Sequence, residues 1–256
     1  MNYKNHIFDV GAYNGIDGLA LAYKNPKFFV HAFEANPDLI NLIKKNKTLI
    51  ENYRKIKIKN YKINNCAVSN KEDYLDFNIA KNPTVSSLNK FSENLDVSWN
   101  DYKEAHLQFV NKIKVKVTTL EKYCLDNDIR IINYLHIDTQ GSDLKVLKGL
   151  KSKMHILQKG VLEAAVNKKK ILYQDNHTIE DVKKFLSEQN FKINKIEDID
   201  ENIKNEKNIY FQKEKLKNND NLKLNYNVRY FNRIVSNRLN LKDKFFDYFK
   251  IFSNFR

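Results

Sequence analysis

Hydrophobic residues along positions 6–190 fall into two patterns, short continuous runs and spacings of three and four. Short apolar runs that end at polar residues or glycine are typical of buried strands, and longer stretches with one apolar face are typical of helices. The runs predict strands at residues 6–10, 28–33, 56–68, 133–138 and 160–166. The spacings predict helices at residues 15–24, from Asn36 onward, and at 120–127, 142–151 and 179–189. This alternation predicts a doubly wound α/β sheet.

The remaining patterns predict the edges and the insertions of this sheet. Two late strands near residues 191–196 and 208–212 predict an antiparallel hairpin at one edge. Strict alternation at 74–80 and 113–118 predicts strands with one face in water. Residues 81–112 lack a period, and we expect an irregular insert there with a short helix. Short polar side chains accept amide hydrogens of a first helical turn, so helix caps are expected at Asn36, Thr119, Ser142 and Thr178.

The last part of the chain has a different character. Residues 214–256 show no strand–helix rhythm and carry ten basic and four acidic residues. We therefore divide the chain into a domain at 1–213 and a basic helical C-terminal extension at 214–256, joined by an asparagine-rich linker. One helical face of the extension holds Val228, Phe231, Val235 and Leu239, and Phe245, Phe249 and Phe252 repeat the spacing.

Two interpretations of this amphipathic extension are open. A basic helix rich in phenylalanine binds an anionic membrane surface in some proteins. Alternatively, the helices pack on the domain or on a second subunit, and this is favoured because aromatic residues at helical spacing usually belong to a core. The extension was expected to be dispensable for the α/β core and to mediate attachment to a membrane or to form a homodimer.

Composition and charge narrow the class of protein. With 42% hydrophobic residues among 256, the chain is neither disordered nor disulfide-stapled. Its two cysteines do not have the spacing of a metal site, and the sequence shows neither a signal peptide nor a long apolar segment. We therefore expect a cytoplasmic protein, which would be peripheral to the membrane if the extension binds lipid. The net charge is +14, but only six of the 45 basic residues are arginine. Arginine binds phosphate groups in a bidentate manner and is the better residue for recognising nucleic acid, so a surface rich in lysine is weaker evidence for such a partner. We therefore expect no nucleic-acid partner.

Two features near the N-terminus predict a nucleoside-containing cofactor. The segment Asp9–Val–Gly–Ala–Tyr–Asn–Gly15 lies between a strand and a helix, where Gly11 permits a tight turn and the close approach of a ligand. Glu34 ends the second strand, 23 residues after Gly11, where a carboxylate is able to accept hydrogen bonds from both hydroxyls of a ribose.

Candidates for catalysis follow the later strands. Asp138 ends the fourth strand and Glu163 the fifth, so both reach the same edge of the sheet, and the alternation of His136 with Asp138 places both on one side. Any of these three is able to act as a base, as are His106 and His177. A divalent metal on Asp138, Asp143 and Glu163 is not expected, because carboxylates at strand ends are common. Ser86, Ser87 and Trp99 are candidates for an acceptor pocket.

Five sequence blocks together resemble the FkbM family. They are D-V-G-A-x-x-G, A-F-E-A-N-P, N-C-A-V-S-N, I-D-T-Q-G-S-D-L-K-V-L-K-G-L and L-E, in that order over roughly residues 5–213. Members of this family are S-adenosylmethionine-dependent methyltransferases that act mostly on hydroxyl oxygens of sugars or polyketides. The resemblance implies a Rossmann-like class I methyltransferase sheet with S-adenosylmethionine as cofactor.

The resemblance also implies roles for individual residues. The first cofactor block begins at Asp9, and the methionine and ribose would be lined by Gly11, Ala12, Tyr13 and Asn14. The ribose hydroxyls would be held by Glu34, and the adenine would lie near Ala35, Asn65 and Ala67. The sulfonium would lie beside Asp138. The sequence departs from the family at Tyr13, where asparagine is common. Gln140 and Asp143 stand where two glutamates are more frequent, and glutamine cannot titrate.

We therefore expect an O-methyltransferase that acts on a sugar, a glycan or a related metabolite. The first alternative is a nucleic-acid methyltransferase, although the sequence has no N-P-P-Y-type tetrapeptide and no catalytic cysteine motif. The second is an inactive interaction module with a Rossmann-like core, against which stand the intact Asp9, Gly11, Gly15 and Glu34.

Overall fold

The molecule is built around a seven-stranded sheet with helices on both faces. A computed structural model describes residues 3–93, 95, 107–200, 203–215, 222–224 and 228–236. The strands of the main sheet are β1 (His6–Val10), β2 (Phe29–Glu34), β3 (Tyr61–Asn65), β7 (Tyr134–Ile137), β8 (Lys159–Ala165), β9 (Phe191–Asp200) and β10 (Ile203–Lys213), in the order β3-β2-β1-β7-β8-β10-β9. The first five are parallel, and β10 pairs antiparallel with β8 and β9. The doubly wound sheet and its edge hairpin are confirmed.

Alternation along the strands creates two hydrophobic cores, one on each face of the sheet. On β1, Phe8 and Val10 belong to one core and Ile7 to the other. The Phe8 face is covered by α3 (Leu120–Asp126), α4 (Asp143–Lys148) and α5 (Ile179–Glu188). The Ile7 face is covered by α1 (Ile16–Lys24), α2 (Pro37–Arg54) and α6 (Val228–Val235).

A smaller sheet accounts for the alternating segments. It contains β4 (Ala67–Val68), β5 (Asp73–Ala80) and β6 (Phe109–Thr118), in the order β4-β6-β5. The strand region expected at 56–68 is therefore divided between two sheets, and β6 includes residues that were expected to be irregular. The described part of the insert begins with a 3₁₀ turn at Pro83–Val85. Trp99 and His106 lie outside the described residues.

Three of the four expected helix caps are confirmed. The side chains of Asn36, Thr119 and Thr178 accept backbone amide hydrogens of the first turns of α2, α3 and α5. Ser142 is the residue that precedes α4, as expected, but its side chain makes no capping hydrogen bond. Its backbone (φ −108°, ψ 6°) is not extended, and its hydroxyl lies 3.0 Å from Asn89 Nδ2, which donates to it. Helix α4 is also shorter than predicted and is followed by a 3₁₀ helix at Lys151–Ile156.

The described part of the extension packs on the domain. Tyr230, Phe231 and Ile234 of α6 are buried against α1 and α2. The side chain of Asn25 makes two hydrogen bonds with the backbone of Lys223: it donates to the carbonyl at 3.0 Å and accepts from the amide at 2.7 Å. Helix α6 thus contributes side chains to the core of the Ile7 face, and the expectation that the extension is dispensable for the core stays a prediction. Leu239, Phe245, Phe249 and Phe252 lie outside the described residues, and the division at residue 213 stays a prediction.

Among the described residues, none of the helices combines the length and the hydrophobicity that crossing a lipid bilayer requires.

Candidate active site

A cavity of about 390 Å³ lies at the carboxyl ends of β1, β2 and β7. Its volume falls in the range of roughly 300–1,000 Å³ that is typical of small-molecule sites. On the side of β2 and the smaller sheet the lining is mostly apolar, with Phe33, Leu39, Val68 and Phe77. Toward β8 and β10 the lining is acidic. The cavity therefore offers one apolar and one polar region to a ligand.

Gly11 makes the closest backbone approach at this cavity. Its φ is +86°, and a Cβ at this position would lie 1.8 Å from the carbonyl oxygen of Asp138. The amides of Gly11 and Ala12 donate to the carbonyl of Phe33 at 3.0 and 2.9 Å, and the amide of Asp138 donates to Val10 at 2.9 Å. Only glycine fits here, and the turn holds the ends of β1, β2 and β7 together.

Glu34 presents a nearly buried carboxylate at the edge of the cavity, only 6% exposed. Its Oε2 accepts from the amide of Tyr13 and its Oε1 from the amide of Asn36, both at 2.8 Å. Burial raises the pKa of Glu34 to about 7, although these amide hydrogens favour the charged form. Each oxygen keeps a lone pair, so the carboxylate is able to accept two further hydrogen bonds.

Other predicted cofactor residues take different positions. Ala35 and Ala67 line the cavity, together with Tyr13. Asn65 does not line it but donates to the carbonyls of Glu34 and Ala35 at 3.0 and 3.2 Å, fixing the end of β2. Ala12 and Asn14 lie behind the cavity lining: Ala12 is buried in the core of the Ile7 face, and Asn14 accepts from the amide of Ile16 at the start of α1, at 3.0 Å.

Asp9 and His136 form a pair away from the cavity. Asp9 is 1% exposed and packs beside Gly18 of α1, and its Oδ1 lies 2.9 Å from His136 Nδ1. Burial lowers the pKa of His136, but the hydrogen bond and charge of Asp9 outweigh it and raise the pKa to about 9. The expectation that His136 and Asp138 share one side is wrong, because the strand ends at Ile137 and only Asp138 turns into the cavity.

The acidic wall of the cavity is formed by Asp138, Glu163 and Glu206. Gln140 Nε2 donates to Asp138 Oδ1 at 2.6 Å, and Gln140 Oε1 accepts from the hydroxyl of Tyr173 at 3.0 Å. Burial raises the pKa of all three carboxyls, that of Glu206 to about 7. Sequence reasoning missed Glu206, because nothing in the local pattern of β10 distinguishes it from a surface glutamate.

The segment at 83–88 covers part of the cavity. Ser86 lines it and accepts from the amide of Ala80 at 3.0 Å. Ser87 does not line it but donates to the carbonyl of Gln140 at 2.6 Å, which ties the segment to the loop after β7. His177 lies in a separate surface groove, where burial and then neighbouring lysines lower its pKa to about 4. His177 does not line the cavity.

Within the part of the chain that the structure describes, no group of three or more histidine, cysteine, aspartate or glutamate side chains is arranged to hold a metal ion.

Comparison with known proteins identifies the fold and the family. A family model described as the methyltransferase FkbM domain matches residues 9–193, well over half of the chain. The chain belongs to the FkbM methyltransferase family. No curated protein sequence matches it significantly.

Solved structures agree with the fold. A methyltransferase FkbM from Methylobacillus flagellatus KT superposes with a TM-score of 0.51 at 14% identity, over 80% of this chain and 43% of that chain. The present chain thus spans less than half the length of that FkbM protein. A second similar structure is TrmK from M. capricolum in complex with S-adenosyl-homocysteine, with a TM-score of 0.43 and 16% identity over 88% of this chain and 68% of that chain. A third is a SAM-dependent methyltransferase from Aquifex aeolicus, with a TM-score of 0.40 and 12% identity over 82% of this chain and 84% of that chain.

As a methyltransferase of this family, the chain uses S-adenosylmethionine as its cofactor. The cavity fits this group in three respects. Glu34 has free acceptor positions for hydroxyls, and the turn at Gly11 leaves no room for a Cβ. In addition, Thr139 lines the cavity, and its hydroxyl is buried without a hydrogen-bond partner. A buried polar atom without a partner is costly, so a polar ligand group at this position would stabilise it.

Proposed function

We propose that this FkbM methyltransferase transfers the methyl group to a hydroxyl oxygen of a sugar, a glycan or a related hydroxylated metabolite. The observation that carries the proposal is the acidic wall of the cavity, where burial raises the pKa of Asp138 and Glu163. A hydroxyl is a weak nucleophile and needs a group that takes its proton as it attacks. A carboxyl with a raised pKa is a better proton acceptor than an ordinary one.

On the cofactor side, Glu34 would accept hydrogen bonds from the ribose hydroxyls and Ala35 and Ala67 would contact the adenine. The backbone from Gly11 to Tyr13 would face the methionine part. When bound, the cofactor supplies an electrophilic methyl group on a sulfonium. The remaining task of the protein is to hold the acceptor oxygen in line with that group, since orientation contributes much of the rate in a displacement reaction.

Asp138 is the residue that we propose as the proton acceptor, with Glu163 beside it. The hydrogen bond from Gln140, itself held by Tyr173, orients one oxygen of Asp138 and leaves the other for the acceptor. This arrangement supports a positioning role for Gln140 in place of the glutamate that is more frequent in the family. His136 is not proposed as the base, because it does not line the cavity and its pKa is raised to about 9, so that it holds its proton near neutral pH.

The experiment compares methyl transfer and cofactor binding in the same variants. Asp138→Asn and Glu163→Gln keep the size of each side chain and remove the charge. With methyl-labelled S-adenosylmethionine and carbohydrate fractions as acceptors, we expect Asp138→Asn to lose roughly 100-fold or more of the transfer rate. Asp175→Asn is the matched control, since this carboxylate is 77% exposed and outside the cavity.

The product decides the acceptor atom. A methyl ether survives mild alkali, a methyl ester does not, and mass spectrometry distinguishes both from an N-methyl group. Label that enters only RNA, amines or carboxylates would overturn the proposal, as would an unchanged rate in Asp138→Asn with a true acceptor.

The proposal places the reaction in the cytoplasm, which is consistent with Cys66 and Cys124 being free thiols. Contact with an anionic membrane or with a second copy through 214–256 is part of the same proposal. Because the apolar face of α6 is buried against α1 and α2, such a contact would involve other residues of the extension.

A further inference from the structure

The acidic wall has no positive counterpart in the cavity. We call Asp138, Glu163 and Glu206 the carboxyl cluster. None of the lining residues that the structure describes is a lysine, an arginine or a histidine. Two members of the cluster accept hydrogen bonds from neutral amides: Gln140 donates to Asp138 at 2.6 Å, and Asn176 donates to Glu206 at 3.0 Å. The cation that acts on the cluster lies outside the lining: His136, paired with Asp9 at 2.9 Å, lowers the pKa of Asp138 through its charge. The lining itself supplies no positive charge to the cluster.

The surroundings of the cluster add more negative charge. Asp143 on α4 is 4% exposed, and its Oδ1 accepts from the amide of Thr139 at 3.0 Å, directly behind the cavity lining. Tyr173, from the loop before α5, is a further buried titratable group, and its hydroxyl lies 2.8 Å from the carbonyl oxygen of Val85 and 3.0 Å from Oε1 of Gln140. On the hairpin, Lys207 is hydrogen-bonded to Asp198 at 2.6 Å and so is neutralised locally.

Carboxylates that share a desolvated site cannot all ionise at neutral pH. Burial raises the pKa of each member of the cluster, and the charge of Asp138 raises the pKa of Glu163 and Glu206 further. The pKa of Glu206 reaches about 7, and so does that of Asp143 behind the lining. Without a ligand, the cavity therefore retains at least part of a proton near neutrality. A ligand that brings a positive charge would displace that proton, and a neutral ligand would not.

We infer that the carboxyl cluster, with Glu206 as its newly recognised member, distinguishes the charged methyl donor from its neutral product by releasing a proton when the donor binds. The inference rests on the proposed function, in which the cofactor occupies this cavity. The sulfonium of S-adenosylmethionine is a cation, and the thioether of S-adenosylhomocysteine is uncharged. Glu206 is thus a residue that favours the donor over the product.

The charges balance through the reaction. The bond between sulfur and the methyl carbon breaks, its electron pair stays on sulfur, and the sulfonium charge disappears. A bond forms between the acceptor oxygen and the methyl carbon, and the hydroxyl proton passes to a carboxylate of the cluster. The cluster regains a proton in the same step in which the neighbouring cation is lost. The total charge inside the cavity is therefore conserved, and the product complex loses the attraction that held the donor.

Isothermal titration calorimetry of the full chain tests this. S-adenosylmethionine and S-adenosylhomocysteine are titrated near neutral pH in two buffers of different ionisation enthalpy, phosphate and Tris. The dependence of the apparent enthalpy on the buffer gives the number of protons exchanged. We expect the donor to release a substantial fraction of a proton more than the product does, and its affinity to rise with pH more steeply.

A matched pair of variants assigns the effect. Glu206→Gln keeps an oxygen that accepts from Asn176. We expect this variant to release less of a proton when S-adenosylmethionine binds, and the ratio of its affinities for donor and product to fall by roughly three- to tenfold. Glu214→Gln makes the same change of charge at an exposed position just beyond β10, and should leave both unchanged. If Glu206→Gln does not fold, the comparison of the two ligands on the unmodified chain still decides.

The outcomes separate the inference from the proposed function. Equal proton exchange with both ligands, or none, overturns the inference and leaves the cofactor site in place. Equal effects of Glu206→Gln and Glu214→Gln overturn the assignment to the cluster. Failure of either ligand to bind, or binding that Glu34→Ala leaves unchanged, overturns the placement of the cofactor and with it the inference.

Discussion

At the scale of single residues, Glu34 joins the fold to the proposed cofactor site. Its oxygens hold the amides of Tyr13 and Asn36, so it fixes both the glycine turn and the start of α2. We expect Glu34→Ala to weaken S-adenosylmethionine binding about tenfold or more, since hydrogen bonds to a charged group contribute roughly 1.5–3 kcal/mol. Calorimetry measures this, with Asp38→Ala as a control that removes an exposed carboxylate close by in the sequence.

Because Glu34 also supports backbone, a loss of folding has to be separated from a loss of binding. Circular dichroism and the urea midpoint of Glu34→Ala would show whether the chain is still folded. A folded Glu34→Ala protein with unchanged affinity would contradict the ribose role.

Gly11 is the residue whose substitution the backbone tolerates least. A Cβ would overlap the carbonyl of Asp138, at 1.8 Å, and the φ of +86° is strained for any other residue. We expect Gly11→Ala to destabilise the fold by at least about 2 kcal/mol, since left-handed backbone alone costs roughly 1–2 kcal/mol. Urea denaturation measures this. A midpoint equal to that of the unmodified chain would show that the β1 turn is looser than described.

At the scale of elements, the sequence predicted most of the main sheet and less of the site. Runs such as Ile7–Val10 and Val30–Phe33 identified the parallel strands because burial on both faces leaves continuous apolar sequence. Ser142 occupies the predicted position before α4 but makes no side-chain capping hydrogen bond, because such a bond depends on backbone angles that residue type does not determine. Glu206 and the Asp9–His136 pair were missed because each depends on strand register between segments that are distant along the chain.

Helix α6 provides a test of how an element of the extension contributes to the domain. Phe231 is buried between α1 and α2, and its ring lies 5.5 Å from that of Tyr23. We expect Phe231→Ala to lower the free energy of unfolding by about 3 kcal/mol, the lower end for burial of such a side chain. Asn232→Ala, on the exposed side of the same turn, should change it by less than about 0.5 kcal/mol. Equal midpoints for the two variants would show that α6 does not stabilise the domain.

At the scale of the whole molecule, buried ionisable groups make stability depend on pH. Burial raises the pKa of Glu34, Asp143 and Glu206 to about 7, and Asp9 raises that of His136 to about 9. Each group holds its proton to a higher pH in the folded chain than in the unfolded chain. The folded state therefore binds more protons, and stability falls as pH rises through the window up to about 9.

Buried histidines act in the opposite direction, but only in acid. Burial lowers the pKa of His31 to about 3 and that of His177 to about 4. Their contribution is lost as pH falls below the unfolded value of about 6.5, and above that value they are neutral in both states. Between about pH 6.5 and 9 the groups named here thus act in one direction.

We therefore expect the ligand-free protein to lose on the order of 2 kcal/mol of stability between about pH 6.5 and 9. Urea unfolding at a series of pH values measures the slope, and Glu206→Gln should make it shallower in the lower part of this window. A stability that rises with pH over the same interval would contradict the burial of these carboxyls in their ionisable form.

The packing of α6 on α1 and α2 also has a consequence for biosynthesis. Helix α2 ends at Arg54, but the helix that covers it begins only at Val228. At translation rates of about 5–20 residues per second, the ribosome needs roughly 9–35 s to synthesise the residues in between. During this time a nascent chain exposes the apolar surface that later buries Tyr230 and Phe231, and chaperones have access to it. A premature stop codon before residue 228 would leave this surface permanently exposed and mark the truncated product for proteolysis.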